Sequence, residues 1–246
     1  MPKKANLIDT LSPPFETAEL REQLALYLDQ EFSGEGGSPP RKIGNFKWGV
    51  NAFFDYDGEP VYVGQTKEFV RTRIRRHLTN QRTDAVAMSV LDPFEVAEIE
   101  VWPLPQFQET SAKNKEAMSH LDALERAVHE CQIEKSQFKA VLNEKNPPVS
   151  AVQIAIPKSH RGRIVSEAVL DLRDHPDLRI ARRSLILSRL AQVISERKVQ
   201  AGLRRVLLVQ ARRLAWLAEQ RFSSLGGDAS VPEEGNEEDD DEPDAS

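Results

Sequence analysis

Four arginines and a histidine crowd into the seven residues from Arg71 to His77, within the segment VRTRIRRHL. A guanidinium presents a planar fork of donors that matches phosphate oxygens. Such a run can therefore touch a nucleic-acid backbone, or simply coat a solvated helix face. Arg73 and His77 stand one helical turn apart and face the same way on a helix. Tyr62, in Tyr62-Val63-Gly64, precedes the run and adds a phenol that can exchange a proton; Lys67 lies between them. A carboxylate comes later, Glu125 in HLDALERAVHE. Its four-residue spacing to His129 suits two metal ligands on one helix face, but the same spacing arises wherever a helix packs a histidine inward. Together these are parts for handling a phosphate and a proton.

Such side chains need elements to hold them. Residues 48–56 (WGVNAFFDY) and 60–66 (PVYVGQT) are rich in aromatic and β-branched residues and flank Asp57-Gly58, which signals a β-hairpin. Residues 69–78 read as a short basic helix. A third strand is expected over 95–102, with Val96, Ile99 and Val101 apolar among acids. Residues 115–131 read as a helix carrying Met118, Leu121, Leu124 and Val128 on one face. A further helical turn should lead to Leu142-Asn143, and Pro147-Pro148 closes the block. The order strand, strand, helix, strand, helix gives an α+β class: a short antiparallel sheet flanked by helices.

This block is similar to the GIY-YIG nuclease family. The first motif is Gly49-Val50-Asn51 and the second Tyr62-Val63-Gly64; Arg73 and His77, Glu125 and then Asn143 follow in the family's order. The resemblance covers roughly residues 46–148. It implies a DNA endonuclease that hydrolyses phosphodiesters with one divalent ion, Mg²⁺ or Mn²⁺. In that reading Tyr62 accepts the proton of the attacking water. A phenol releases its own proton only near about pH 10, so a neighbouring cation must help. Arg73 supplies that help and steadies the phosphorane, and Glu125 holds the metal as a single carboxylate. His77 contacts a phosphate or shuttles a proton, and Asn143 orients a ligand or pins the end of the glutamate helix. Asn51, Lys67, Arg71 and Arg76 would meet the substrate. One position departs from the pattern: Asn51 stands where the family has a tyrosine, and an amide cannot act as a phenolic acid or base. The alternative is therefore a catalytically impaired scaffold serving DNA binding or assembly.

Around the block the chain divides by composition. Residues 1–40 form an expected helical arm, with a helix over 16–32 (Leu20, Leu24, Leu26, Leu28), and a Gly-, Ser- and Pro-rich linker. Residues 41–150 hold the nuclease-like domain. Residues 155–225 form an expected basic helical region: a helix over 164–172, then a long helical stretch over 178–222, read as a hairpin bent near Gly202. From Lys158 to Arg221 there are 15 basic against 6 acidic residues. Those arginines can grip DNA, or flank the apolar stripe of a bundle or homo-oligomer. Residues 226–246 read as a disordered acidic tail. From Asp228 on there are 10 acidic and no basic residues, so the net charge of −6 conceals a body of 33 basic against 29 acidic ones. A single cysteine, Cys131, suits a reducing cytoplasm, and no apolar run suggests a membrane span.

Overall fold

The computed structural model describes residues 15–34, 39–79, 92–150, 152–196 and 201–228. The expected acidic tail lies outside them from residue 229 on. The fold is α+β. Helix α1 (Phe15–Leu28) buries Leu20, Leu24 and Leu28 at four-residue spacing, whereas Leu26 points outward. A minimal ribbon of β1 (Glu31–Phe32) and β2 (Arg41–Lys42) follows. Then come β3 (Gly49–Phe54), β4 (Pro60–Thr66), α2 (Val70–Leu78), β5 (Glu98–Pro103) and α3 (Lys115–Lys135). Strand β6 (His160–Arg163), α4 (Glu167–Arg173), α5 (Pro176–Glu196) and α6 (Ala201–Ser224) complete the chain. The main sheet runs β4-β3-β5-β6, antiparallel throughout, so β4 is an edge strand.

Strand β3 is buried at all six positions, which explains why GVNAFF lacks the alternation of a half-exposed strand. On one face Trp48, Val50, Ala52, Phe54 and Val63 pack against Leu121, Leu124 and Val128 of α3. On the other, Phe53, Val61, Ile99 and Val101 share a core with α1, α2 and the C-terminal helices, through Leu190, Ile194, Leu203, Val206 and Val209. Part of the apolar stripe of the C-terminal helices is thus spent inside the chain's own core, while Leu185 and Leu208 stay exposed. Asn114 caps α3 by accepting from the Ala117 N–H at 2.9 Å, which fixes where that helix starts.

Three local expectations need correction. Residues 136–143 do not make a helical turn; Lys139 takes a positive φ of 49° and the chain runs on irregularly. Residues 160–163 (HRGR) form β6, pairing with the open edge of β5, and the next helix starts only at Glu167, after its Ser166 cap. The first helix ends at Leu28, short of the expected Phe32, and Glu31–Phe32 form β1 instead. Gly202 lies in the first turn of α6, where the helix backbone presses on the Glu144 carbonyl and a Cβ would have no room.

Four of the C-terminal arginines turn inward. Arg173, Arg179, Arg183 and Arg213 are each at most 5% exposed. Arg183 reaches Asp55 at 2.8 Å, Asp57 at 3.2 Å and Glu95 at 3.4 Å. Arg179 pairs with Asp57, and Arg213 donates to Glu59 at 3.4 Å and to the Pro60 carbonyl at 2.9 Å. Arg179, Arg183 and Arg213 clamp the acidic turn between β3 and β4, while Arg173 pairs with Glu16; none of the four is available to a DNA backbone. Removing one partner of such a set strands a buried charge, although the intact set gains little over apolar packing. The clamp therefore fixes the turn from which β4 carries Tyr62 outward.

Candidate active site

Strand β4 delivers Tyr62 and Gly64 to one face of the sheet and Val63 and Gln65 to the other, because side chains alternate along a strand. The Tyr62 ring folds back over Gly64. A Cβ built on Gly64 would lie 2.3 Å from the Tyr62 hydroxyl, so the motif's glycine is the space the phenol occupies. Helix α2 approaches this face with Arg73 and His77. The Arg73 guanidinium donates to the Tyr62 hydroxyl at 3.3 Å. The His77 ring lies 5.1 Å from that of Tyr62 and 6.1 Å from that of Phe53. The one-turn spacing thus brings both side chains to one phenol. His77 is only 6% exposed, so it packs and orients Tyr62 and has little access to a phosphate.

Glu125 comes from α3, which covers the opposite face. Burial pushes its carboxyl up to about 7, and Asp122, one turn earlier, pushes the same way; Arg73 and the amides of Gln65 pull it down. The Arg73 charge thus acts on Glu125, while its guanidinium donates to the Tyr62 hydroxyl. Gln65 donates to Asp122 at 2.9 Å. An open cleft of about 370 Å³ lies here, lined by Gln65, Thr66, Lys67, Glu68, Arg73, Met118, Leu121 and Asp122. Asp122 and Gln65 escaped the sequence reading. Asp122 sits three residues before Glu125 on one helix face, but only the packing of α3 on β4 shows that this face meets Gln65.

Asn143 does something other than expected. Its amide accepts from the Val63 N–H at 3.0 Å and donates to the Val63 carbonyl at 2.6 Å. It completes the exposed edge of β4 instead of capping the glutamate helix, and so holds the strand between Tyr62 and Gly64. Asn51 lies opposite Gly64 on β3 and is 1% exposed. Among the described residues neither atom of its amide has a hydrogen-bond partner. Lys67 is exposed on the cleft. Arg71 pairs with Asp29 beyond α1 and does not reach the cleft; Arg76 pairs with the cleft residue Glu68. His129 is buried, and burial lowers its pKa. It does not join Glu125 in a cluster: among the described residues no three His, Cys, Asp or Glu gather to hold a metal.

The donors present nevertheless fit Mg²⁺. That ion keeps several waters and takes one or two carboxylates plus substrate phosphates. A carboxyl raised chiefly by burial, and further by Asp122, is a group that gains by meeting a cation. Compared with protein-family models, curated proteins and solved structures, the chain shows no significant match to any. Among the described residues no helix is long and apolar enough to cross a membrane.

Proposed function

We propose that this chain is a metal-dependent DNA endonuclease of the GIY-YIG type, acting at the cleft beside β4. The observation that carries the reading is the Arg73 guanidinium on the Tyr62 hydroxyl, at the edge of a cleft where Arg73 also acts on Glu125. Tyr62 takes the proton of the attacking water, and the water oxygen adds to phosphorus as the sugar alkoxide leaves. Arg73 holds the Tyr62 oxygen in place and binds a non-bridging oxygen of the phosphorane. His77 and Gly64 fix the ring; Asn143 fixes the strand. A divalent ion on Glu125, with Asp122 beside it, would supply charge neutralisation at the phosphate and the leaving oxygen. Lys67 approaches the flanking backbone.

Plasmid nicking in Mg²⁺ or Mn²⁺ that stops with EDTA, and is lost in Glu125→Ala and Arg73→Ala, supports this reading. The absence of cleavage with either metal would overturn it. Asn51 favours a second reading, a DNA-binding or assembly scaffold, because a buried amide replaces a phenol. DNA binding without cleavage, unaffected by Glu125→Ala, would support that one.

A further inference from the structure

The cleft is small and its walls are of two kinds. Its volume of about 370 Å³ lies at the low end for small-ligand sites. That suits one nucleotide, and an intact duplex cannot enter it. Gln65 and Asp122 form a polar wall with hydrogen-bonding capacity beyond their mutual contact. Leu121 and Met118, the latter 38% exposed, form an apolar wall. Lys67 and Arg73 bring positive charge to the same space, where Asp122 is bonded by Gln65 and Glu68 is paired with Arg76.

Phe69 follows directly on the lining residue Glu68 and is 47% exposed. It occupies the N-cap of α2 and makes no side-chain capping bond. Serine, threonine, aspartate or asparagine would stabilise that helix better, so the fold does not ask for phenylalanine there. The Lys47 ammonium lies over one face of its ring, 5.5 Å from the centre, and the rest of the side chain is about half exposed. An aromatic ring interleaved with lysines and an arginine is what an unpaired base and its phosphates bind.

We propose that the cleft receives one unpaired nucleotide of a DNA strand, its base stacked at Phe69 and Met118 and its phosphate drawn by Lys67 and Arg73. The preferred substrate then has single-stranded character next to the cut. This rests on the nuclease reading for the cut, but not for the binding. The test is fluorescence anisotropy of the full chain with a short labelled oligonucleotide, single-stranded and then annealed, in calcium buffer. The wild type should bind the single strand more tightly. Phe69→Ser should weaken single-strand binding at least about fivefold, the lower end of base–aromatic stacking. It should leave duplex binding unchanged and the thermal midpoint equal or higher, since serine caps better. A 2-aminopurine base in the strand should be quenched by the wild type and less so by Phe69→Ser and Met118→Ser. Equal affinity for both DNA forms, or an equal loss for both in Phe69→Ser, overturns the proposal. Duplex plasmid cleavage without single-strand preference keeps the nuclease and removes the pocket. Phe69-dependent single-strand binding without cleavage does the reverse. Binding to neither form removes both.

Discussion

Asn51→Leu should make this protein more stable and less active. The position is 1% exposed in the central strand, opposite Gly64 on one side and Val101 on the other. Among the described residues its amide oxygen and nitrogen are both without a partner. Leaving a buried polar group unsatisfied costs roughly 1–3 kcal/mol. Leucine has about the same size, removes that penalty and adds apolar burial, while its different branching takes back part of the gain. The net expectation is about 1–3 kcal/mol of added stability. For a chain of this length that is a rise of roughly 2–4 °C in thermal midpoint per kcal/mol. Urea unfolding measures it directly: the midpoint should rise with an unchanged slope. Plasmid nicking by the same variant should fall, because an unsatisfied amide kept beside Gly64 and Tyr62 is stability given up at a working site. An unchanged or lower midpoint would refute the reasoning and mean that ordered solvent satisfies the amide. A higher midpoint with full nicking activity would show that Asn51 has no part in the reaction.

Other perturbations test other links. Gly64→Ala would place a Cβ 2.3 Å from the Tyr62 hydroxyl and must swing the ring off Arg73. Nicking should fall by roughly 10²-fold or more, the usual weight of a general base, while the circular dichroism spectrum stays native; full activity would remove Tyr62 from the mechanism. The carboxyls of Glu95 and Glu125, both raised from 4.5 to about 7 chiefly by burial, hold protons in the folded state that the unfolded chain has released. In EDTA, stability should therefore fall as pH rises from about 4.5 to about 7 and level off above. Each group accounts for on the order of 1–3 kcal/mol, and Glu95→Gln or Glu125→Gln should flatten the slope in urea titrations. Arg183→Met strands Asp55, Asp57 and Glu95 and should cost about 3–5 kcal/mol, against nearly nothing for the exposed Arg189→Met. Equal unfolding midpoints would mean that the clamp on the β3–β4 turn does not hold.

What the sequence alone determined was what neighbours along the chain decide. Asp57-Gly58 between two β-branched runs sets the hairpin, since turn geometry needs a few residues only. The four-residue step from Arg73 to His77 puts both on one side of α2, and both do meet Tyr62. Tertiary structure decided what depends on distant partners. Fifteen basic residues from Lys158 to Arg221 look alike in the sequence; burial against Asp55, Asp57, Glu59 and Glu95, some 90–150 residues away, separates the clamping arginines from the surface ones. The four residues of β6 carry no apolar alternation, because an edge strand can be recruited by backbone hydrogen bonds alone. Asn143 gains its place by completing the β4 edge from 80 residues away, and Asp122 meets Gln65 on the cleft wall because α3 crosses the far face of the sheet. Helical and strand periods are local. Which charge meets which across the sheet is settled by packing, because a buried ion or amide must find its partner wherever the chain brings one.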